Sequence, residues 1–344
     1  MQPFQNGHLY PVIDKDRCTG CGLCRRACPV QSFVERRLPL MTYASYMKNN
    51  TEKKKSTSGG IASVLSSHMI HNGGVVYGCS VSHRLKAEHI RVAANDQLYR
   101  LCGSKYIQSR MGQVYKQIKQ DLQNQKRVLF IGTPCQVAAL NCYLKDKTGL
   151  ITVDLICHGV PSQKLFDQYV AEILRGKRAT HVSFRSKDGY RLTLMNEQST
   201  VYSAAYRKDL FLTGFLKNLF FRESCYTCPY ASKERVSDIT LGDFWGLGKL
   251  EKIPYPEDRK ISVDLLNTAS GSDFFHACSP ELNSEERNYS EAVAGNLHLR
   301  VPSQKNPHYY SFQKRMLSEN FMQAARQSLR FHMIKNKLLY MLGK

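Results

Sequence analysis

The sequence predicts a mixed α/β chain of the α+β class: a small cysteine-bound unit followed by a larger mixed-sheet domain. Three observations carry that expectation. Val128–Leu140 (VLFIGTPCQVAAL) reads as a buried strand, a tight turn and a helix start. Leu150–Ile156 (LITVDLI) reads as a second such strand, ending on Cys157-His158-Gly159. His181–Arg185, Leu192–Glu197 and Val201–Ala205 alternate as antiparallel strands do, around the turn Ser186–Tyr190. The expected division is a small unit at 1–33, a linker at 34–57, the main domain at 58–290 and a basic extension at 291–344.

Composition narrows the class. A chain of 344 residues has room for a sizeable core plus an appendage, and 42% hydrophobic with 22% charged residues is ordinary for a globular protein. The net charge of +21 is not ordinary. It suggests an anionic partner (a phosphorylated cofactor, an acidic protein, nucleic acid or a membrane surface) or simply a basic solvated face. Twelve cysteines are too few for a disulfide scaffold in a chain this long, and their clustering points to metal and a reducing compartment. MQPFQNGHLYPVIDKD lacks the apolar core of a signal peptide, and no apolar run approaches the roughly 18 residues of a membrane span. A cytoplasmic location is the expectation.

The strongest local signal is Cys18-x2-Cys21-x2-Cys24-x3-Cys28-Pro29. Closely spaced thiolates on a loop made flexible by Gly20 and Gly22 wrap a cubane 4Fe–4S cluster, and the proline turns the chain away. A zinc site would show two well-separated ligand pairs. The run resembles one unit of a bacterial-type ferredoxin. In two-cluster ferredoxins the fourth cysteine serves the other cluster, and no sister motif is present. Cys28 therefore closes the same cluster, or another thiol does, or an upstream half is missing. From Val34 to Thr57 the pattern is polar, with the run Glu52-Lys53-Lys54-Lys55-Ser56, and reads as a linker or an arm across the main domain.

Ser58-Gly59-Gly60 then opens a helix running from Ile61 to Asn72. The glycines either punctuate that helix or let a phosphate approach its N–H groups. Val75–Ser82 and His89–Ala94 read as strands. Gly103-Ser104-Lys105-Tyr106, with Gln108 and Ser109 behind it, is a turn that could grip a dinucleotide. Tyr115–Gln123 reads as helix and leads into Val128. Cys135 falls at a strand-to-helix turn, where free N–H groups and the helix dipole favour a thiolate.

His158 reads as a satisfied structural histidine, with proton shuttling as the alternative. Gly159–Ser162 is a turn and cap, Leu165–Leu174 a helix, and Leu210–Phe221 an apolar helix. Cys225-x2-Cys228-Pro229 follows. With Cys135 and Cys157, this pair makes four thiols on three segments, enough for one S4 site. Ser237–Gly246 is a strand ending in glycine, acid and aromatics that holds the only tryptophan; its end either stacks on a flat ring or is a buried turn. Ile261–Leu266 reads as strand and Ser270–Ala277 as helix. The tail HMIKNKLLYMLGK docks on the body, a partner or a membrane surface. Cys79, Cys102, Cys142 and Cys278 are assigned to packing.

Taken together, SGGIASVL, GGVVYGC, GSKYIQS, VLFIGTPCQVAAL, LITVDLICHGVPS, CYTCP and SDITLGDFWG resemble the beta subunit family of coenzyme F420 hydrogenases and dehydrogenases. The resemblance implies FAD and a 4Fe–4S cluster in the main domain, with coenzyme F420 as a candidate partner. It implies that Cys135, Cys157, Cys225 and Cys228 ligate that cluster. It also implies that Ser58, Gly59, Gly60, Ser104, Lys105 and Tyr106 lie along the flavin, with Thr133 and the turn from Asp243 to Trp245 closing the site.

The chemistry asks for such an arrangement: hydride brings two electrons, a cluster carries one, and a flavin accepts both and releases them singly. The expected function is therefore a flavin- and iron–sulfur-dependent oxidoreductase working with a redox partner protein or an anionic soluble cofactor, alone or as part of an oligomer or complex. The alternatives are a non-catalytic electron-transfer subunit and a structural zinc protein that binds nucleic acid. No recognised nucleic-acid motif supports the last, and nucleic acid is not expected as a partner.

Overall fold

A computed structural model describes residues 2–4, 6–53, 56–187, 189–248 and 260–341. The chain begins with a ribbon, β1 (Gln2–Pro3) paired with β2 (Leu9–Tyr10), and continues through the cysteine loop with its single turn α1 (Leu23–Arg26). The segment expected as a linker is different: β3 (Met41–Met47) enters the main sheet, and a short α2 (Asn50–Lys53) follows. Its sequence, MTYASYM, shows no clear period on its own. Pairing on both sides, with strands more than 200 residues downstream, is what holds it extended. Lys54 and Lys55 of the expected basic run lie outside the described residues.

α3 (Ile61–His71), β4 (Val75–Val81) and β5 (Ala87–Val92) come next, then α4 (Val114–Gln123), β6 (Val128–Gly132), α5 (Pro134–Tyr143) and β7 (Leu150–Leu155). Each lies within a residue or two of its expected place, because each carries a periodic apolar pattern and most have a glycine or proline close to one end. α6 (Gln163–Leu174) is capped by the Ser162 hydroxyl as anticipated. β8 (His181–Ser186), β9 (Gly189–Met195) and β10 (Thr200–Ala205) form a separate three-stranded antiparallel sheet; Asp188 of the turn expected between the first two lies outside the described residues. α7 (Leu210–Leu216) is shorter than its apolar run; the chain turns at Lys217 and Asn218 and continues as buried non-helical chain from Leu219 to Phe221.

β11 (Ile239–Asp243), β12 (Ser262–Leu266), α8 (Ala269–Ala277) and β13 (Leu282–Glu286) complete the main sheet, in the order β13-β3-β12-β11-β7-β6-β4-β5. β4, β6, β7 and β11 run parallel, and the outer strands pair antiparallel. The sheet is covered on both faces, as parallel strands require. Along β6 the alternation is direct: Leu129 packs with Ile61, Val64 and Leu65 of α3, while Val128 and Phe130 pack with Ile118 of α4 and Val137 of α5. Phe130 is fully buried, and truncating it to alanine costs about 3–5 kcal/mol.

The extension expected at 291–344 is part of the body. α9 (Tyr289–Gly295), α10 (Tyr309–Arg315), α11 (Phe321–Ser328) and α12 (Arg330–Met341) follow β13. Phe312 and Phe321 are fully buried in an aromatic core with Phe211, Phe220 and Tyr169. Residues 342–344 of the tail lie outside the described residues.

Candidate cofactor site

Parallel strands bring their carboxyl ends to one edge, and in open α/β sheets ligands bind there. β6 ends at Gly132 and delivers Thr133 and Cys135; β7 ends at Leu155 and delivers Cys157; β11 ends at Asp243, two residues before Trp245. β12 runs the other way, so its first residue, Ser262, pairs with Asp243 at the same edge. Ser262 in turn holds the glycine loop: its hydroxyl accepts from the Gly59 N–H at 3.0 Å and donates to Ser58 Oγ at 3.1 Å. A Cβ on Gly59 would fall 2.3 Å from the Ser45 carbonyl oxygen, so only glycine lets the loop lie this close to β3.

Cys135 sits in the first turn of α5, behind Pro134 and the N-cap Thr133, whose hydroxyl is 3.2 Å from Cys135 Sγ. Cys157 follows β7, and Cys225 ends a short turn against it: Arg222 N–H donates to Val160 at 3.0 Å, and Pro161 pairs with Phe221. Gly159 makes that approach possible, since a Cβ there would strike the Phe221 ring at 2.5 Å and its φ is +128°. The folded chain thus gathers Cys135, Cys157, Cys225 and Cys228, thiols up to 93 positions apart in the chain (135 to 228), into mutual electrostatic reach.

Burial pushes the Cys157 thiol well above its ordinary range, with Cys225, Cys135 and Cys228 pushing further, and raises Cys225 to about 12. Cys135 is also raised by burial, against the lowering pull of the Thr133 hydroxyl. This corrects the expectation of a thiolate favoured by the helix start: desolvation among other thiols outweighs the dipole until a cation takes up the charge. Cys135 is nonetheless accessible to solvent and Cys157, Cys225 and Cys228 are half-buried, so these sulfurs are not sealed in the core.

The donor set fits a cluster in its chemistry. Four soft thiols converge, the Gly159 and Val160 N–H groups donate to the sulfurs of Cys157 and Cys225, and the Arg222 guanidinium lends positive charge to Cys135 and Cys225. Among the described residues no three His, Cys, Asp or Glu side chains close on a single-ion position, so the fit rests on those donors and not on a finished coordination sphere. His158 is satisfied structurally, between His298 at 2.9 Å and Asn218 at 3.1 Å, and burial lowers it to about 4.

Tyr106 and Asp243, two of the residues expected along the flavin, are joined through a residue the sequence did not single out. Arg185 Nε donates to Tyr106 Oη at 2.7 Å, and Nη2 donates to Asp243 at 2.8 Å. Ser104 meets Thr57 at 3.0 Å, which ties this turn to the Ser58–Gly60 loop. Tyr106 stacks on Phe215 at 4.5 Å, and Phe215 stacks on His158 at 5.4 Å, so the aromatic contact runs from this turn to the neighbour of Cys157. Lys105 is turned inward: its ammonium donates to the Leu101 and Cys102 carbonyls at 2.6 and 2.7 Å. Trp245 is 54% exposed, and thus is not the buried turn allowed from sequence. A recess of about 700 Å³ lies elsewhere, between α6 and the C-terminal helices, and contains none of these residues.

In the N-terminal unit Cys18, Cys21 and Cys24 are exposed and Cys28 half-buried. The Leu23 N–H and Thr19 hydroxyl draw the Cys21 thiol below its ordinary value. The unit sits on the main domain through Tyr230, which donates to the Pro29 carbonyl at 3.1 Å, and through Arg36, which donates to the Pro229 carbonyl at 2.7 Å.

An iron–sulfur protein is the class these features define, and residues 11–33 match the family model of a 4Fe-4S binding domain. Residues 125–292 match the model of the C-terminal part of the coenzyme F420 hydrogenase/dehydrogenase beta subunit. The two matches lie in the order that the motif resemblance implied, the 4Fe-4S domain ahead of the beta-subunit match. No curated protein is matched. Among solved structures, a chain of the F420-reducing NiFe hydrogenase complex from Methanosarcina barkeri has 14% identity and a TM-score of 0.50, over 86% of this chain and 92% of its own. That likeness shows a shared fold. Among the described residues no helix is long and apolar enough to cross a membrane.

Proposed function

We propose that the chain is a flavin- and iron–sulfur-dependent oxidoreductase subunit, exchanging hydride pairs for single electrons between a reduced soluble cofactor or partner and 4Fe–4S clusters. The observation that carries the reading is the gathering of Cys135, Cys157, Cys225 and Cys228 at the carboxyl edge of the parallel strands, beside the Tyr106–Arg185–Asp243 network. Cys18, Cys21, Cys24 and Cys28 would hold one cluster and the four gathered thiols the other. Ser58, Gly59, Gly60, Ser104, Tyr106, Thr133, Asp243 and Trp245 would line a flavin, FAD in the family resembled, with Lys105 supporting its turn from behind. Such a flavin supplies the two-electron to one-electron conversion.

The chain's own residues do the rest. Gly159 and Val160 N–H groups and Arg222 lower the cost of negative charge on the sulfurs. Arg185 fixes the Tyr106 hydroxyl and Asp243 carboxylate, one donor and one acceptor for a polar ring edge. The Tyr106–Phe215–His158 stack links the turn that carries Tyr106 to the neighbour of Cys157. The likeness to a chain of a hydrogenase complex favours work within a larger assembly, and coenzyme F420 is the deazaflavin to try first as hydride donor.

The test is anaerobic purification followed by iron, sulfide and flavin analysis. About eight irons and one flavin per chain are expected. A protein with clusters and no flavin would leave only the electron-transfer role, and zinc without sulfide would reject both.

A further inference from the structure

The main-domain cysteine loop and the N-terminal cysteine loop each end in a Cys-Pro step, Cys28-Pro29 and Cys228-Pro229. Both prolines are held by the same small group of side chains. Tyr230 Oη donates to the Pro29 carbonyl at 3.1 Å, Arg36 Nη1 donates to the Pro229 carbonyl at 2.7 Å, and the Arg36 guanidinium lies over the Tyr230 ring at 5.1 Å. Directly behind, Arg37 and Arg235 exchange backbone hydrogen bonds at 2.9 and 2.7 Å, adding a bridge between the two parts. Tyr230 is 4% exposed and packs in the same core as Val137, Leu140 and Cys228, so its ring is a fixed wall and not a swinging side chain.

We infer that the N-terminal unit is docked as an internal electron relay, with Tyr230 and Arg36 as positioning residues that hold the Cys28-Pro29 turn against the Cys228-Pro229 turn and so place two clusters in direct electronic contact. This rests on the two-cluster reading above. One further observation supports the juxtaposition: Val34, just past the N-terminal loop, packs against the core formed by Val137, Ala138 and Leu140 of α5, the helix whose first turn carries Cys135. With both clusters bound, each electron passed would reduce one and oxidise the other, with no further reactant needed. The exposed cysteine loop then becomes the face at which an external one-electron carrier exchanges with the chain.

The test uses the full-length protein, purified anaerobically and reduced with dithionite, with iron content and electron paramagnetic resonance as readouts. The expected spectrum of the wild type is broadened by spin–spin interaction and differs from the sum of the spectra of Cys21→Ser and Cys225→Ser, each retaining one cluster. Tyr230→Ala is expected to lose that interaction while iron content stays unchanged, and Tyr230→Phe, which loses only the bond to Pro29, to lose part of it. Should Tyr230→Ala fail to fold, Arg36→Ala tests the same contact from the other side. About four irons per chain in the wild type would overturn the two-cluster reading and the relay with it. About eight irons with additive spectra would overturn the relay alone, as would unchanged interaction in Tyr230→Ala and Arg36→Ala.

Discussion

Arg185 donates to Asp243 at 2.8 Å across the junction between the three-stranded sheet and the end of β11. The same guanidinium holds Tyr106 at 2.7 Å and lies 3.7 Å from the centre of the Tyr190 ring. One side chain thus sets the positions of two residues proposed to face the flavin.

Replacing Arg185 with alanine leaves Asp243 and Tyr106 without their shared donor. With the arginine side chain 12% exposed, a loss of about 2–3 kcal/mol in unfolding free energy is expected, together with lower bound flavin. Arg185→Lys keeps the charge and loses the fork, and should fall between. Urea denaturation and flavin absorbance read the two effects separately; normal flavin content in Arg185→Ala would remove it from the site.

Arg235 and Asp154 form an ion pair at 2.8 Å with side chains 1% and 0% exposed, beneath the β7 end that delivers Cys157. Arg235→Met strands a buried carboxylate and is expected to cost about 3–5 kcal/mol. Pairing it with Asp154→Leu should recover much of that loss. Denaturation of both single variants and the double variant decides, and a double-variant loss equal to the sum of the two single losses would show that the pair is not coupled.

Asp264 is buried in the middle of β12, and burial raises it from an ordinary 3.8 to about 7, with the Ser45 hydroxyl pulling it back. The folded state then binds this proton more tightly than the unfolded chain. Its contribution is fully present below pH 3.8 and is lost as pH rises to about 7. The difference, taken over those three units, amounts to about 4 kcal/mol at most. Asp264→Asn should remove this decline, so the gap between variant and wild type widens in the variant's favour from acid to neutral pH. A gap that stays constant with pH would show that Asp264 does not titrate there.

Cys225→Ser and Cys228→Ser are expected to lose about four irons each and retain the N-terminal cluster signal. Gly159→Ala tests the same site without touching a thiol. The added methyl meets Phe221 at 2.5 Å on a backbone at φ +128°, displacing the N–H groups that serve Cys157 and Cys225. Partial iron loss with the secondary structure intact is the expected result, by iron analysis and circular dichroism. Full iron content in all three variants would refute the main-domain cluster.

Much of this molecule is written locally. β6, β7 and α5 were readable because a strand buried on both faces is a continuous apolar run, and Thr133-Pro134 is helix-start chemistry within a few positions. The Cys18–Cys28 loop was readable because its proposed ligands are neighbours in the chain. The four distant thiols could be counted from the sequence as enough for one S4 site, but neither periodicity nor spacing says that residue 135 meets residue 225; their shared ligation was an implication of the resemblance.

β3 was missed because MTYASYM has no turn signal or clean period, and its extended form comes from hydrogen bonds to β12 and β13. Arg185 and Tyr230 were missed for a related reason: each is an ordinary residue in sequence, and its role is conferred by partners 58 and 201 positions away. Residue order was thus enough for most elements between residues 61 and 277 and for the cysteine spacing of the N-terminal loop, because short-range sterics and burial act within a few residues. Only folding settled which thiols gather, which arginine spans the proposed flavin site and where the N-terminal loop docks. Those are contacts between remote segments, and packing of the whole sheet sets them.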